Sequence, residues 1–529
     1  MAFVRRMGPA LLCAAGVLMT FHPMILSGLA RMETDPGDTR HLNYVLEHGY
    51  RWLLSDPGHR ELWSPPVFFP ETNTAAYSET LFGVLPFYVP WRFLGAAPDT
   101  ALQWWIFTVA LLNFPASYLL LRRALGLRAL PASLGAFLFS FGSPRVVQSG
   151  HQHLIAQFFT VLAVIALVQL FAGDESPAGG SRRTGWIAVF FGSLVAQAYA
   201  GFYLSWFFAL ALSLALLVSL FVRETRRRLV WLVSRHGLAV AASAVASLIA
   251  LAPLARHYLE AAAVVGPRDF RDASRMLPPL KAWFNLGPHS WLYGGFRRAV
   301  FEKMPFEWEK ELGIGAVTLL VALYGLVREW KRPGARVLIL TSFALILLAT
   351  SFPGGFTLWH GVFATFPAGT AIRAVSRVGV LLLLPASIGV AYAFDRASRT
   401  LRLGWVLPVA ALVILEQGQS MPSYSKEEAR RDVAAAVRRI PGGCRTFFVA
   451  FPAGRKPNWE AQLDGMWAGL EAGLPTVNGY SSNWPPGWLP LYDNLLHGPA
   501  DEERLRASLR GWLARHGLDP AGTCFVTMP

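Results

Sequence analysis

A mainly α-helical, polytopic transmembrane bundle with a small soluble α/β domain at its C-terminal end is the fold class that the sequence predicts. Three observations predict it. Of 529 residues, 53% are hydrophobic and only 15% charged. Apolar stretches of roughly 17 to 22 residues recur along most of the chain, the length a helix needs to cross ~30 Å of hydrocarbon. Beyond residue 416 the pattern changes to short apolar runs alternating with charged, helix-forming ones. The formal charge of +15 would suit nucleic acid if it were concentrated. Instead Lys and Arg fall in short groups between apolar segments, where they orient helices and meet anionic head groups, so nucleic-acid binding is excluded. Three cysteines exclude a disulfide-built or cysteine-rich metal scaffold, and Cys13, within an apolar run, reads as a packing residue.

Arg5 and Arg6 precede the apolar run 9–30, which puts the N-terminus in the cytoplasm. A cleaved signal peptide is the rival, with small residues at Ser27, Gly28 and Ala30, but the run is long for a signal core. The span 101–121 ends in Arg122, Arg123 and Arg128, so 31–100 becomes one outer loop. Within it the apolar stretch 77–95 holds Glu79, Pro86 and Pro90, and is expected to lie on the membrane or re-enter it. Spans then alternate at 129–143, 153–172, 185–200, 201–222, 237–255, 312–328, 337–352, 377–394 and 403–416, with arginine-rich ends inside. About eleven spans result, N-terminus in and C-terminus out. Residues 1–416 thus form a membrane domain with outer loops 31–100 and 256–310, and 417–529 an extracytoplasmic domain.

In that tail, 425–439 reads as a helix capped by Ser425, with Glu428 three residues on. Strands follow at 444–450 and 524–528, with helices at 459–471 and 501–515 between them. Cys444 and Cys524 each open a strand, and in an oxidising compartment they are candidates for a disulfide.

The chemistry starts with three carboxylates, Glu33, Asp35 and Asp38, directly after the first span. Pro36-Gly37 forces a turn and Thr39 to Leu54 reads as an amphipathic helix, with Asp38 as its natural N-cap, so capping and catalysis both stay open. The loop is longer than a connector needs. It continues into Trp63-Ser-Pro-Pro-Val-Phe-Phe-Pro70 and Glu71, an aromatic, proline-rich stretch suited to meeting lipid at the membrane boundary. His151 and His153 invite a metal reading, but a spacing of two does not put both rings on one helical face and no third ligand is close in sequence. Lining an active site and capping a helix at the interface are the other readings. Arg373 and Arg377, four apart at the mouth of a span, are expected on one helical face, as phosphate donors or as boundary anchors. Arg256, Arg268, Arg271, Arg275 and Lys281 add cations in the second loop. Asn478-Gly-Tyr-Ser-Ser482 and Trp484-Pro-Pro-Gly-Trp488 form a turn-rich aromatic surface, for an acceptor sugar or for packing.

With Gly37-Asp38-Thr-Arg-His41, the Trp63 to Pro70 segment, Gly150-His-Gln-His153 and Ala371-Ile-Arg-Ala-Val-Ser-Arg377 in this order, the chain resembles the GT-C superfamily of polyprenyl-phosphate-sugar glycosyltransferases. The resemblance implies inverting transfer of a hexosyl or pentosyl group from a polyprenyl-phosphate carrier to an envelope glycan or lipid, at the outer face of a bacterial inner membrane. It implies a carboxylate after the first span as base, Asp38 first and Asp35 second; the residues' own chemistry and placement add His41, Glu71, His151, His153, Arg373 and Arg377 as the candidates for binding the substrates. Thr39 follows Asp38 where many members have two adjacent acids. Which acid is the base, and whether a divalent metal serves as cofactor, therefore stay open.

The mechanism follows physically. An ionised aspartate, with a reference pKa of about 3.9, takes the acceptor hydroxyl proton while the anomeric carbon is attacked from the opposite face. The departing phosphate is stable as an anion and needs fixed cations rather than an acid. An acyltransferase would bury its key histidine within the bundle. A transporter or flippase would carry polar groups at mid-span, where only Asn113 and Gln197 stand out. A non-catalytic membrane scaffold is the remaining alternative.

Overall fold

The structure is a computed structural model and describes residues 2–34, 36–172, 180–296, 301 and 304–529. Asp35 lies outside the described residues. Among the described residues, six helices are long and apolar enough to cross a membrane: Met7–Leu26, Pro98–Ala124, Gln152–Phe171, Phe202–Phe221, Arg223–Val265 and Val375–Thr400. Ala316–Arg328, Pro333–Ala349 and Gly404–Leu415 are shorter apolar helices, and Ala129–Phe141 and Gly180–Ala200 occupy the remaining expected spans. The chain is a polytopic helical membrane protein.

One helix departs from expectation. The span read at 237–255 belongs to Arg223–Val265, where two helices join across a kink at His236 (φ −126°, ψ 18°), and the helix after the kink runs on to Val265. At 1.5 Å per residue the part after the kink is about 44 Å long, more than the hydrocarbon thickness. Strong helix formers, Glu260 and Ala261 to Ala263, carry it past the apolar stretch, and Gly266, at φ +83°, followed by Pro267 ends it. The stretch 77–95 does not cross: it consists of short turns and one helix of five residues, Val89–Phe93.

The chain divides into two compact units. The first comprises Met1–Ile25, Ile106–Leu251 and Arg268–Met421. Its helices approach through small residues: Gly325 and Gly389 lie where a Cβ on either would strike the backbone of the facing helix. Trp206, Phe207, Trp359 and Phe363 form an aromatic core there.

The second unit comprises Leu26–Trp105, Ala252–Pro267 and Pro422–Pro529. Strand β1, Arg31–Glu33, pairs antiparallel with β2, Ser423–Ser425, so the start of the acidic run is sheet-bonded to the start of the tail. The tail holds a parallel sheet in the order β4-β3-β5, with β3 at Thr446–Pro452, β4 at Leu495–Leu496 and β5 at Thr523–Thr527. The unbroken apolar run of β3 is what a strand covered on both faces requires. Helices Lys426–Val437, Asn458–Ala472 and Pro499–Arg515 accompany the sheet, and Ser425 caps the first by accepting from the Glu428 amide at 3.3 Å. Cys444 and Cys524 form a disulfide, their Cα atoms 5.8 Å apart. Their strands run side by side, with Phe447 opposite Cys524.

The Trp63 to Pro70 segment is core rather than lipid-facing surface. Val67 and Phe68 are buried with Phe447, Trp488 and Leu491, because Phe68 and Phe69 donate their amides to Asn478 and Thr476 (3.1 and 3.0 Å) and run as an extra edge beside the tail. Trp63 stacks on His257, ring centroids 4.1 Å apart.

Candidate functional site

In the second unit, the helix that carries Asp38 spans Asp38–Leu53 and buries its residues from Thr39 to Tyr50. Buried polar contacts fix its course. Arg40 pairs with Asp464 at 2.7 Å, and Glu47 receives Arg92 at 2.7 and 3.0 Å and the Tyr88 hydroxyl at 2.9 Å. A charged pair inside the protein costs desolvation, which these close, multiple bonds offset. The result is a helix that can neither slide nor rotate without leaving a buried charge unpaired.

Gly37 takes the capping position, and Asp38 is the first residue of the helix rather than its N-cap. The half-exposed carboxylate instead accepts a hydrogen bond from the Tyr480 hydroxyl, O to O 2.7 Å. His41, one turn on, packs edge-on against the Tyr480 ring at 5.5 Å. Both of its ring nitrogens are buried without a hydrogen-bond partner among the described residues. Burial lowers this imidazole to about 4, against the opposing pull of Asp38, so it is neutral at pH 7. Glu33, the first acid of the run, is buried with both carboxyl oxygens unbonded among the described residues, and burial raises it well above the ordinary carboxylate range. Asp38 is the carboxylate of the described part of the run that is partly open to solvent. Glu71 pairs with His516 at 3.5 Å, at the end of helix Pro499–Arg515, and makes no contact with Asp38 or Tyr480 among the described residues.

In the first unit a second polar cluster forms. Arg145 organises the loop before the Phe158–Ala172 helix by donating to the carbonyls of Phe139, Leu154 and Ile155 at 3.2, 2.9 and 2.9 Å, and to Gln157. This presents His151 and His153 to Glu309 and Arg377. Arg377 donates to a Glu309 oxygen at 2.9 Å and to Nε2 of His153 at 3.2 Å, and lies over the Tyr203 ring at 4.9 Å. His151 stands 3.7 Å from Glu309. Burial would raise the Glu309 carboxyl, but Arg377, His151 and Arg373 outweigh it and bring it down to about 2.

Arg373 and Arg377 do not share a helical face. The helix begins only at Val378; Arg377 ends the tight turn Val375–Arg377, whereas Arg373 lies in the irregular stretch between that turn and Gly369–Ala371. Arg377 is neutralised by Glu309, whereas Arg373 lies near a second cation, Arg268. Burial lowers the Arg268 guanidinium, and the like charge of Arg373 adds to this against the pull of Tyr203 and Asp272. The Tyr203 hydroxyl also accepts from the Arg373 amide at 3.3 Å.

These residues do not fit a metal. Nε2 of His153 is occupied by a guanidinium donor, and among the described residues no three His, Cys, Asp or Glu side chains stand where they could hold an ion together. Glu309 and Tyr480 are the residues that sequence reasoning missed. Glu309 sits in the charged run Glu307-Trp-Glu-Lys-Glu311, which reads as solvated surface; Tyr480 lay within the turn already noted at 478–482.

No family model and no curated protein matches the chain. Among solved structures it is similar to the crystal structure of ArnT from Cupriavidus metallidurans in the apo state, at 11% identity and a TM-score of 0.44, over 89% of this chain and 86% of that one.

Proposed function

We propose that the chain is a GT-C-type membrane glycosyltransferase that moves a sugar from a polyprenyl-phosphate carrier to an envelope glycan or lipid outside the cytoplasmic membrane, with inversion. The observation that carries this reading is Asp38: a half-exposed carboxylate at the first turn of a helix otherwise locked by buried ion pairs, with one oxygen held by a phenol. Such a group is oriented to take a proton from an acceptor hydroxyl as the hydroxyl attacks the anomeric carbon. The proton goes to Asp38, the new bond forms at the sugar, and the old bond breaks toward the phosphate. Within the first unit we assign phosphate binding to Arg268 and Arg373, and no metal is given a step. Asp35 remains the second candidate for the base. The disulfide of the tail supports an extracytoplasmic location, because such bonds persist in oxidising compartments.

The transport alternative finds less support. Asn113 bonds Ile155 and Gln157 at 2.7 and 3.1 Å, and Gln197 bonds Thr160 and Ala156 at 3.0 Å each. The two mid-span amides thus satisfy neighbouring backbone and side chains instead of lining a path.

Mass spectrometry of lipid extracted from the purified protein tests the donor class: a polyprenyl phosphate or its sugar ester is expected, and its consistent absence argues against the reading. In cells or membranes, Asp38→Asn is expected to abolish transfer while the protein still accumulates. Full transfer by both Asp38→Asn and Asp35→Asn would end the proposal.

A further inference from the structure

We infer that Tyr480 is a positioning residue for Asp38, and that the tail loop 478–483 is built to aim its hydroxyl; this rests on the reading of Asp38 as the base. The loop is pinned at both ends. At its start the Asn478 side chain accepts from the Val449 amide at 2.8 Å and donates to the Val449 carbonyl at 3.1 Å and to Gln462 at 2.9 Å. An amide side chain thereby clamps to strand β3 as a further strand would. The Gly479 amide adds a bond to Gln462 at 3.2 Å, and Gly479 passes so close to the Phe68 ring that a side chain there would collide with it. At the other end Ser482 meets Ser78 at 3.2 Å and Asn483 donates to the Tyr77 carbonyl at 3.0 Å. Between these anchors the Tyr480 ring rests on His41 and its hydroxyl reaches one Asp38 oxygen.

The chemical consequence is twofold. Engaging one carboxylate oxygen sets the rotation of the carboxylate, which fixes where the other oxygen points. A donor on the ionised form also keeps the base charged to lower pH, since a hydrogen bond to the charged state favours that state. Asp38 and Tyr480 are 442 residues apart, so the base is completed only when the tail has folded against the first loop. The titratable groups facing Asp38 include the Tyr480 phenol from the tail and the His41 imidazole from its own helix.

The test uses the purified full-length protein and needs no sugar donor. A water-soluble carbodiimide with an amine nucleophile modifies carboxyl groups in their protonated form, and mass spectrometry follows Asp38 labelling across pH. Tyr480→Phe, which keeps the ring against His41, is expected to move the labelling midpoint up by about one pH unit, the size expected for losing a hydrogen bond to a charged group. Replacement of Tyr480 by a fluorinated tyrosine, a stronger donor that keeps the hydroxyl, is expected to move it down. A midpoint unmoved by both, or moved the same way by both, overturns the role of Tyr480. The fluorinated variant keeps the test decisive even if the phenylalanine variant fails to fold. A fully active Asp38→Asn variant instead overturns the assignment of the base on which the role rests.

Discussion

The Arg377 guanidinium and the Glu309 carboxylate meet at 2.9 Å with both side chains almost fully buried. Removing one partner of such a pair strands the other charge, at a cost of about 3 to 5 kcal/mol. Glu309→Gln and Arg377→Met are therefore each expected to lower the thermal unfolding temperature of the purified protein by many degrees, and the double variant by less than the sum. The pH dependence has a definite sign. Glu309 titrates at about 2 in the folded chain and near 4.5 in the unfolded one, so its contribution is present above 4.5 and lost as pH falls toward 2.

His48 and His59 provide a second pH signature at milder acidity. Their Nδ1 atoms lie 2.7 Å apart, and His48 also donates from Nε2 to the Leu62 carbonyl at 3.1 Å, which makes His59 the donor between the rings. Burial holds them at about 4 and about 3, against an ordinary value of 6.5. Between 6.5 and these values the unfolded chain binds protons that the folded chain refuses, so stability falls on acidification. The unfolding temperature is expected to drop from pH 7 to pH 4.5, and a His48→Leu, His59→Leu variant to show a shallower drop. His41 supplies a remaining slope of the same sign.

The disulfide closes a sequence separation of 80 residues, which in the chain-entropy account stabilises the tail by about 4.5 kcal/mol. Under denaturing, non-reducing conditions a maleimide is expected to label Cys13 alone, and after reduction all three cysteines. The double variant Cys444→Ser, Cys524→Ser is expected to make the tail the first part cleaved in limited proteolysis.

If Arg373 and Arg268 share an anion, their substitution acts on phosphate rather than on folding. Arg373→Ala is expected to weaken binding of farnesyl phosphate, a short prenyl phosphate, by roughly tenfold at low salt, since a charge-assisted bond contributes 1.4 kcal/mol or more. Its unfolding temperature should stay within a few degrees of the parent. Titration calorimetry in detergent gives both the affinity and its salt dependence.

The helices were legible because crossing a bilayer demands a long apolar run, and such runs survive any arrangement of their neighbours. Ser425, Glu428 and the two cysteines were legible for a similar reason, since caps and strand openings are local. The candidate site was legible only in part. Asp38 stood out because acids are scarce beside spans, yet its partner lies across 442 residues, a separation over which a sequence carries no contact signal. Arg373 and Arg377 were expected on a shared helix face, which they lack, because the tight turns at Gly369–Ala371 and Val375–Arg377 delay the helix. Trp63 to Pro70 looked like membrane-boundary surface because aromatic and proline residues serve there and in a core alike.

The clamp at Asn478 also sets how the protein ages. An asparagine followed by glycine is the pair at which a mobile chain most readily loses side-chain ammonia, because the next amide can fold back onto the side-chain carbonyl. Here that carbonyl is held by Val449, and the Gly479 amide is turned to Gln462. Conversion to aspartate would replace an amide that donates to the Val449 carbonyl and to Gln462 with an acceptor facing two acceptors, and the turn carrying Tyr480 would be pushed off its strand. The folded state is thus its own preservative, and each unfolding excursion of the tail exposes a residue whose slow chemical change would loosen the turn that carries Tyr480.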